Sequence, residues 1–209
     1  MKRTTMVLLG LAAAIGVGCA SMADRQDAAV GAKAIAMMKS SFREQGPAKL
    51  DRLEQDEVQR LCSEYTGDRK MPREVAERIE KSQLDLIKYP ADGKYLGDWK
   101  AGERIAQSGV GMQFTDAAGA ANGANCYACH ELTKAELAFG TIGPSLYRFG
   151  KTRGFTPEMQ KYAYGKVYNS EAFSACSNMP RFGHKGILTE QQLRDVVALL
   201  MDPASPVNQ

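Results

Sequence analysis

Only two histidines and five cysteines occur among the 209 residues. A zinc site wants four ligands, and the second histidine, His184, is not at finger spacing from the one close cysteine pair, which argues against a zinc finger. No run of about 20 apolar residues is present, so no segment makes a comfortable transmembrane helix. Alternation of apolar and polar residues is missing too, and with it the pattern of a half-buried strand; the expected class is all-α. Internal repeats and low-complexity tracts are absent. Neither charge sign prevails: 27 basic and 24 acidic side chains give +3, and Lys2 and Arg3 sit in a leader whose removal leaves +1. That balance gives no reason to expect a nucleic-acid partner. With 44% hydrophobic and 24% charged residues, the chain has the material for a packed core.

An export signature is present. Met1-Lys2-Arg3 precedes an apolar run from Met6 to Gly18 and then small residues through Ala23, the order of a secretory signal. Cleavage after Ala23 satisfies the small-residue rule through Ser21 and Ala23, so residues 1–23 are expected to leave and a soluble periplasmic protein to remain. Cys19, after Gly16-Val17-Gly18, offers an alternative lipid attachment point, but the residues before it suit that signal poorly. In an oxidising compartment Cys62, Cys126, Cys129 and Cys176 need accounting for. Two of them share one tight motif, which leaves Cys62 and Cys176 as natural disulfide partners.

Charge is spread unevenly, with 17 charged side chains over residues 49–81 and 5 over residues 105–150. In the charged part Leu50, Leu53, Val58, Leu61 and Tyr65 recur at helical spacing, and Val75, Ile79 and Leu86 form a second stripe after Pro72. These predict two amphipathic helices, separated by Thr66-Gly67-Asp68 and closed by the turn signal Tyr89 to Gly93. Residues 24–94 then form an N-terminal extension, residues 95–203 a second domain and residues 204–209 a tail. From Asp98 to Ser108 a short helix groups Trp99, Gly102, Ile105 and Ala106 on one face, and Gly102 permits a close crossing. Gly109 to Asn125 reads as a loop whose small side chains leave room for something bulky. Near the C-terminus Thr189 and Gln192 make a capping box, Leu188 and Leu193 a staple, and Asp202-Pro203 a stop.

Cys126-Tyr127-Ala128-Cys129-His130 is the attachment signature of c-type haem. Two thiols on one turn reach the two vinyl groups at one porphyrin edge, and the next residue presents imidazole to the iron. A thioredoxin-like C-x-x-C belongs in an alternating α/β pattern, which this chain lacks. The expected cofactor is one covalently attached haem c held by Cys126, Cys129 and His130. A sixth ligand decides between electron transfer and ligand chemistry. Met159 and Met201 lie in helical stretches and read as packing, and His184 sits in a turn flanked by Gly183 and Gly186. Met179, in Ser177-Asn178-Met179-Pro180, lies in a loop stiffened by Pro180, so the expected metal ligands are His130 and Met179. An open sixth site, as in a peroxidase or ligand sensor, is the reading that Met179 argues against. After a short helix, Gly140 to Leu146 brings Pro144, whose carbonyl is free to accept the Nδ1 proton of His130; Leu146, Tyr147 and Phe149 are expected to wall the haem from water.

The order helix, C-x-x-C-H, Gly-Pro-Ser-Leu, Met-Pro, final helix resembles a class I cytochrome c domain over residues 95–203, a family in which the first and last helices cross. The stretches Ile142 to Tyr147, Gly150 to Gly154, Phe173 to His184, Gly186 to Gln192 and Asp202 to Val207 are similar to the SoxX family, the small mono-haem subunits of SoxAX complexes in bacterial sulfur oxidation. This resemblance implies a subunit of an L-cysteine S-thiosulfotransferase, an enzyme that oxidatively joins thiosulfate to a cysteine of the SoxYZ carrier protein. It implies a heterodimer with a SoxA-type cytochrome that bears the catalytic cysteine, no catalytic residue on this chain, and electrons passed to another cytochrome c. Cys126, Cys129, His130 and Met179 fall on that family's haem positions, whereas residues 24–94 exceed its minimal pattern. The same motif also suits a stand-alone periplasmic electron-transfer cytochrome.

Overall fold

Helices supply the regular structure of this protein, seen in a computed structural model that describes residues 29–67 and 69–209; among them the only pairing of extended backbone is an isolated bridge between Gln45 and Ala48. The class is all-α, as expected. The leader, with Cys19, and Asp68 of the first turn lie outside the described residues. No helix among the described residues is long and apolar enough to cross a membrane.

The described residues form two compact units, one comprising residues 29–44 with Lys49–Leu53, the other Gln45–Ala48 with the described residues from Glu54 to Gln209. The first holds helix α1, residues 29–41, and a 3-10 turn at Leu50–Leu53. The apolar stripe from Leu50 to Tyr65 therefore does not run as one helix. Its second half is α2, Glu57–Glu64, which restarts because Asp56 caps it: the carboxylate accepts from the Gln59 amide at 2.9 Å while the Gln59 side chain accepts from the Asp56 amide at 2.9 Å. Helix α3 spans Arg73–Leu84, directly after Pro72.

Helix α4, Trp99–Gln107, starts at the cap Asp98, and α7, Glu190–Met201, starts at the Thr189 and Gln192 capping box. Both follow the sequence reading. They cross where Gly102 meets the backbone of Asp195 and where Ala106 is fully buried. The start of α4 is stitched to α7 by the Gly97 amide on the Arg194 carbonyl, 3.0 Å, and the Asp98 amide on the Asp195 carboxylate, 2.9 Å. Helix α7 is the central element, with Leu193 and every residue from Asp195 to Met201 buried. Against it pack α5, Phe149–Arg153, and α6, Pro157–Tyr168.

Helices α2 and α3 share the second compact unit with everything that follows. The reason is a second apolar cluster, Val58, Leu61 and Ile79, that also takes in Ala175 from the far end of the chain. Within the tail 204–209, Ser205 and Val207 are fully buried, and the Val207 carbonyl accepts from the Arg148 amide at 2.7 Å. The stretch between the motif and Gly140 is not helical, since its far end bonds across to the motif turn instead.

Candidate functional site

Cys126–Ala128 forms a single 3-10 turn, entered through Asn125 in the left-handed region at φ 46°. The approach is fixed by the end of α4, where the Ala124 amide donates to the Ile105 carbonyl and the Asn125 amide to the Ser108 carbonyl, each at 2.9 Å. Tyr127 turns inward and is buried, with its hydroxyl 3.3 Å from Thr133 Oγ1. Cys126 and Cys129 are free, half-buried thiols, and Cys126 packs against the same core as Tyr127. Burial pushes the Cys126 thiol up to about 12, so it is a neutral thiol and a poor thiolate nucleophile. Dithiol redox chemistry of the thioredoxin kind needs the opposite shift.

The segment Gly140 to Leu146 lies along the motif. The Gly140 amide donates to the Tyr127 carbonyl, Gly143 to Cys129 and Leu146 to Glu131, each at 2.8 Å. His130 Nδ1 donates to the Pro144 carbonyl oxygen at 2.7 Å, as the sequence reading expected. A carbonyl only accepts, so the proton is on Nδ1 and the lone pair of the neutral ring is on Nε2, the nitrogen left for a metal. Gly143 is required beneath the ring: a methyl there would overlap His130 Cε1 and stand 2.5 Å from Nδ1. Ile142, the neighbouring residue, is 74% exposed, and Leu137 is 96% exposed. Among the described residues no three or more His, Cys, Asp or Glu side chains gather as a metal-holding group, so the two thiols and the imidazole do not converge on one point.

Met179 is half-buried in the loop between the 3-10 turn Ser170–Ala172 and α7, and packs against the same main core as Cys126 and Leu146. Its carbonyl accepts from Ser170 Oγ at 2.5 Å and its amide donates to Ser177 Oγ at 3.2 Å. Met201 is a fully buried core residue and Met159 packs against that core, in keeping with packing roles. His184 lines a cleft of about 370 Å³ with Val58, Leu61, Ile79 and Gln83, on the α2 and α3 side of the loop. Phe149 joins Leu146 against the core, but Tyr147 does not: its ring lies under Lys134 and Arg148 and its hydroxyl donates to the Gln209 carbonyl at 3.0 Å.

The loop bearing Met179 is held from outside by the disulfide that the cysteine count suggested and by ion pairs that the sequence reading did not single out. Cys62 and Cys176 form a disulfide with Cα atoms 5.4 Å apart. Arg181, 8% exposed, donates to Asp56 at 2.5 Å, and Lys185 donates to the same carboxylate at 2.7 Å. Burial alone would raise the Asp56 carboxyl, but the hydrogen bonds from Lys185, the Gln59 amide and Arg181 outweigh it and hold the group well below its ordinary 3.8. A depressed carboxyl contributes stability that is complete above its unfolded value and fades as pH falls toward the folded one. Thermal melts from pH 6 to 2 are therefore expected to show Asp56→Asn less stable near neutrality, with the gap to the native protein closing below about pH 4. A gap of constant size across that range would contradict the network's role.

No family model matches the chain. Aligned over 212 residues and covering 100% of both chains, the sequence is 35% identical to an uncharacterized lipoprotein of Aquifex aeolicus (strain VF5), and the protein belongs to the family of that lipoprotein.

Proposed function

We propose that this protein is an exported mono-haem cytochrome c of class I type, acting as the electron-accepting subunit of a SoxAX-type L-cysteine S-thiosulfotransferase. The observation that carries the haem reading is the grip on His130, whose Nδ1 proton is held by Pro144 and whose ring rests on Gly143 next to two free thiols. Those of the motif fit the group: Cys126 and Cys129 would bear the thioether links and His130 Nε2 would bind the iron, with Met179 Sδ as the proposed second ligand. Bound haem supplies one-electron chemistry at a potential that a thioether ligand raises. The chain's own part is to orient the imidazole through Pro144, to exclude water with Leu146 and Phe149, and to hold the thioether in a bound loop. The crossing of α4 and α7 at Gly102 supports a class I architecture. The motif-level likeness over residues 142–154 and 173–192 supports the SoxX role, in which thiosulfate, the SoxYZ carrier, a SoxA-type subunit and a downstream cytochrome c are the partners.

The protein is to be exported in a host that matures c-type cytochromes. Expected are a mass greater than the polypeptide by one haem, a Soret band, and a red sulfur-to-iron band that Met179→Ala abolishes. Thiosulfate with SoxYZ is then expected to reduce the haem only when a SoxA-type subunit is added; a monomer that exchanges electrons with another cytochrome c but is not reduced even then favours the stand-alone shuttle. A product without added mass and without Soret absorption refutes the whole reading. The name lipoprotein carried by the Aquifex relative supports lipid attachment at Cys19 over cleavage after Ala23. Mass spectrometry of the mature N-terminus is expected to find diacylglycerol on Cys19, and a terminus at Asp24 would overturn that.

A further inference from the structure

The loop that carries Met179 leaves the three-residue turn Ser170–Ala172, passes through Cys176 in the left-handed region at φ 59°, and reaches Pro180; its own bonds join Ser170, Glu171, Ser174, Cys176, Ser177 and Met179. A non-glycine residue at that φ is sparsely populated unless its surroundings impose it.

Glu171 accepts the Cys176 amide from the root of the loop, and groups from α2, its cap Asp56 and α3 take hold on both sides of the methionine. Before it, Cys62 is bonded to Cys176, and Glu80 accepts the Ala175 amide at 3.0 Å. Ala175 also packs on Val58, Leu61 and Ile79. After it, Asp56 holds Arg181 and Lys185, and Arg181 reaches Gln83 at 3.4 Å. At the root of the loop Asn169 donates to both the carbonyl and the side-chain oxygen of Gln83 at 3.1 Å. These contacts fall at residues 169, 175, 176, 181 and 185, leaving Met179 in the middle of a span tied at each end.

We propose that α2 and α3 form a clamp that fixes the Met179 loop, with Asp56, Cys62 and Glu80 as positioning residues for the thioether. The inference deepens the haem reading and rests on it for the sulfur's target, but the clamp itself is a property of this chain. A thioether is neutral and forms one weak bond, so its occupancy depends on how much loop ordering remains to be done when it binds; ordering the loop in advance removes that cost. The N-terminal extension thereby acquires a role in the site.

Hydrogen exchange and optical spectra of the full-length protein test this together. In Glu80→Ala, amides over residues 174–183 are expected to exchange at least tenfold faster at pH 7 while those of α7 keep their native rates; in Cys62→Ala/Cys176→Ala the same loop amides are expected to exchange faster too, with α7 following the loss of global stability. In Glu80→Ala, equal acceleration in α7 would mean a merely global loss of stability and would overturn the proposal, as would unchanged exchange in the loop. Glu80→Gln keeps an oxygen acceptor for the Ala175 amide and is expected to restore native exchange. In haem-loaded protein the same two clamp variants are expected to lose the red sulfur-to-iron band, wholly or in part, with the Soret band retained and the midpoint potential lowered; Glu80→Gln is expected to keep all three features. An intact red band beside a freed loop refutes the positioning role. Absence of any Soret band refutes the haem reading instead, and the exchange data then judge the clamp alone.

Discussion

Removing both halves of the Cys62–Cys176 disulfide by alanine substitution is expected to lower the free energy of unfolding by about 4–5 kcal/mol. The magnitude follows from the span: the bond joins residues 114 apart, and closing so long a loop removes much of the freedom of the unfolded chain. For a protein of this size that corresponds to a melting temperature lower by roughly 10–20 °C. Two features separate this effect from simple loss of packing. The denaturant slope should rise, because the unlinked unfolded chain exposes more surface. Cys176→Ala alone should cost at least as much as the double substitution, since it leaves the Cys62 thiol alone against the Val58, Leu61 and Ile79 cluster. A double variant within 1 kcal/mol of the native protein would mean that the link closes no freedom the unfolded chain still has.

What the sequence made legible was local. The capping box Thr189 and Gln192, the cap at Asp98 and the helix start after Pro72 are written in consecutive residues, and each element begins where its cap stands. The Pro144 carbonyl on His130 was legible for the same reason: a motif, a short interval and a residue without an amide proton. The break at Asp56 carried a signal, Asp-x-x-Gln, that the longer apolar stripe obscured. The clamp was not legible, because Glu80 with Ala175, Gln83 with Asn169 and Asp56 with Arg181 join positions 86 to 125 apart, and each residue taken singly looks like part of a solvated charged face. Cysteine arithmetic proposed the pairing of Cys62 with Cys176, and that one long-range pairing is what puts the charged extension beside the methionine loop.

Gly102→Ala is expected to cost more than 3 kcal/mol, beyond the 1–3 kcal/mol usual for a methylene added to a packed core. The substitution has a favourable part: alanine is preferred over glycine in a helix interior by about 0.8–1 kcal/mol. The sign is decided by what the methyl meets. At the crossing of α4 and α7 it would overlap the carbonyl oxygen of Asp195 and stand 2.6 Å from that carbonyl carbon, with Leu199 Cβ at 3.1 Å. Backbone cannot rotate aside as a side chain does, so relief requires the two helices to separate. Separation strains the bonds that start α4, from Gly97 to Arg194 and from Asp98 to Asp195, and opens voids around Ala106 and Leu199, both fully buried. Gly31 in α1 supplies the control, since nothing lies within 4 Å of a methyl placed there. Gly31→Ala is expected to leave stability unchanged or raise it by up to about 1 kcal/mol, propensity acting alone. Denaturant titration of the two variants side by side tests the crossing, and equal effects would mean that α4 and α7 do not meet at Gly102.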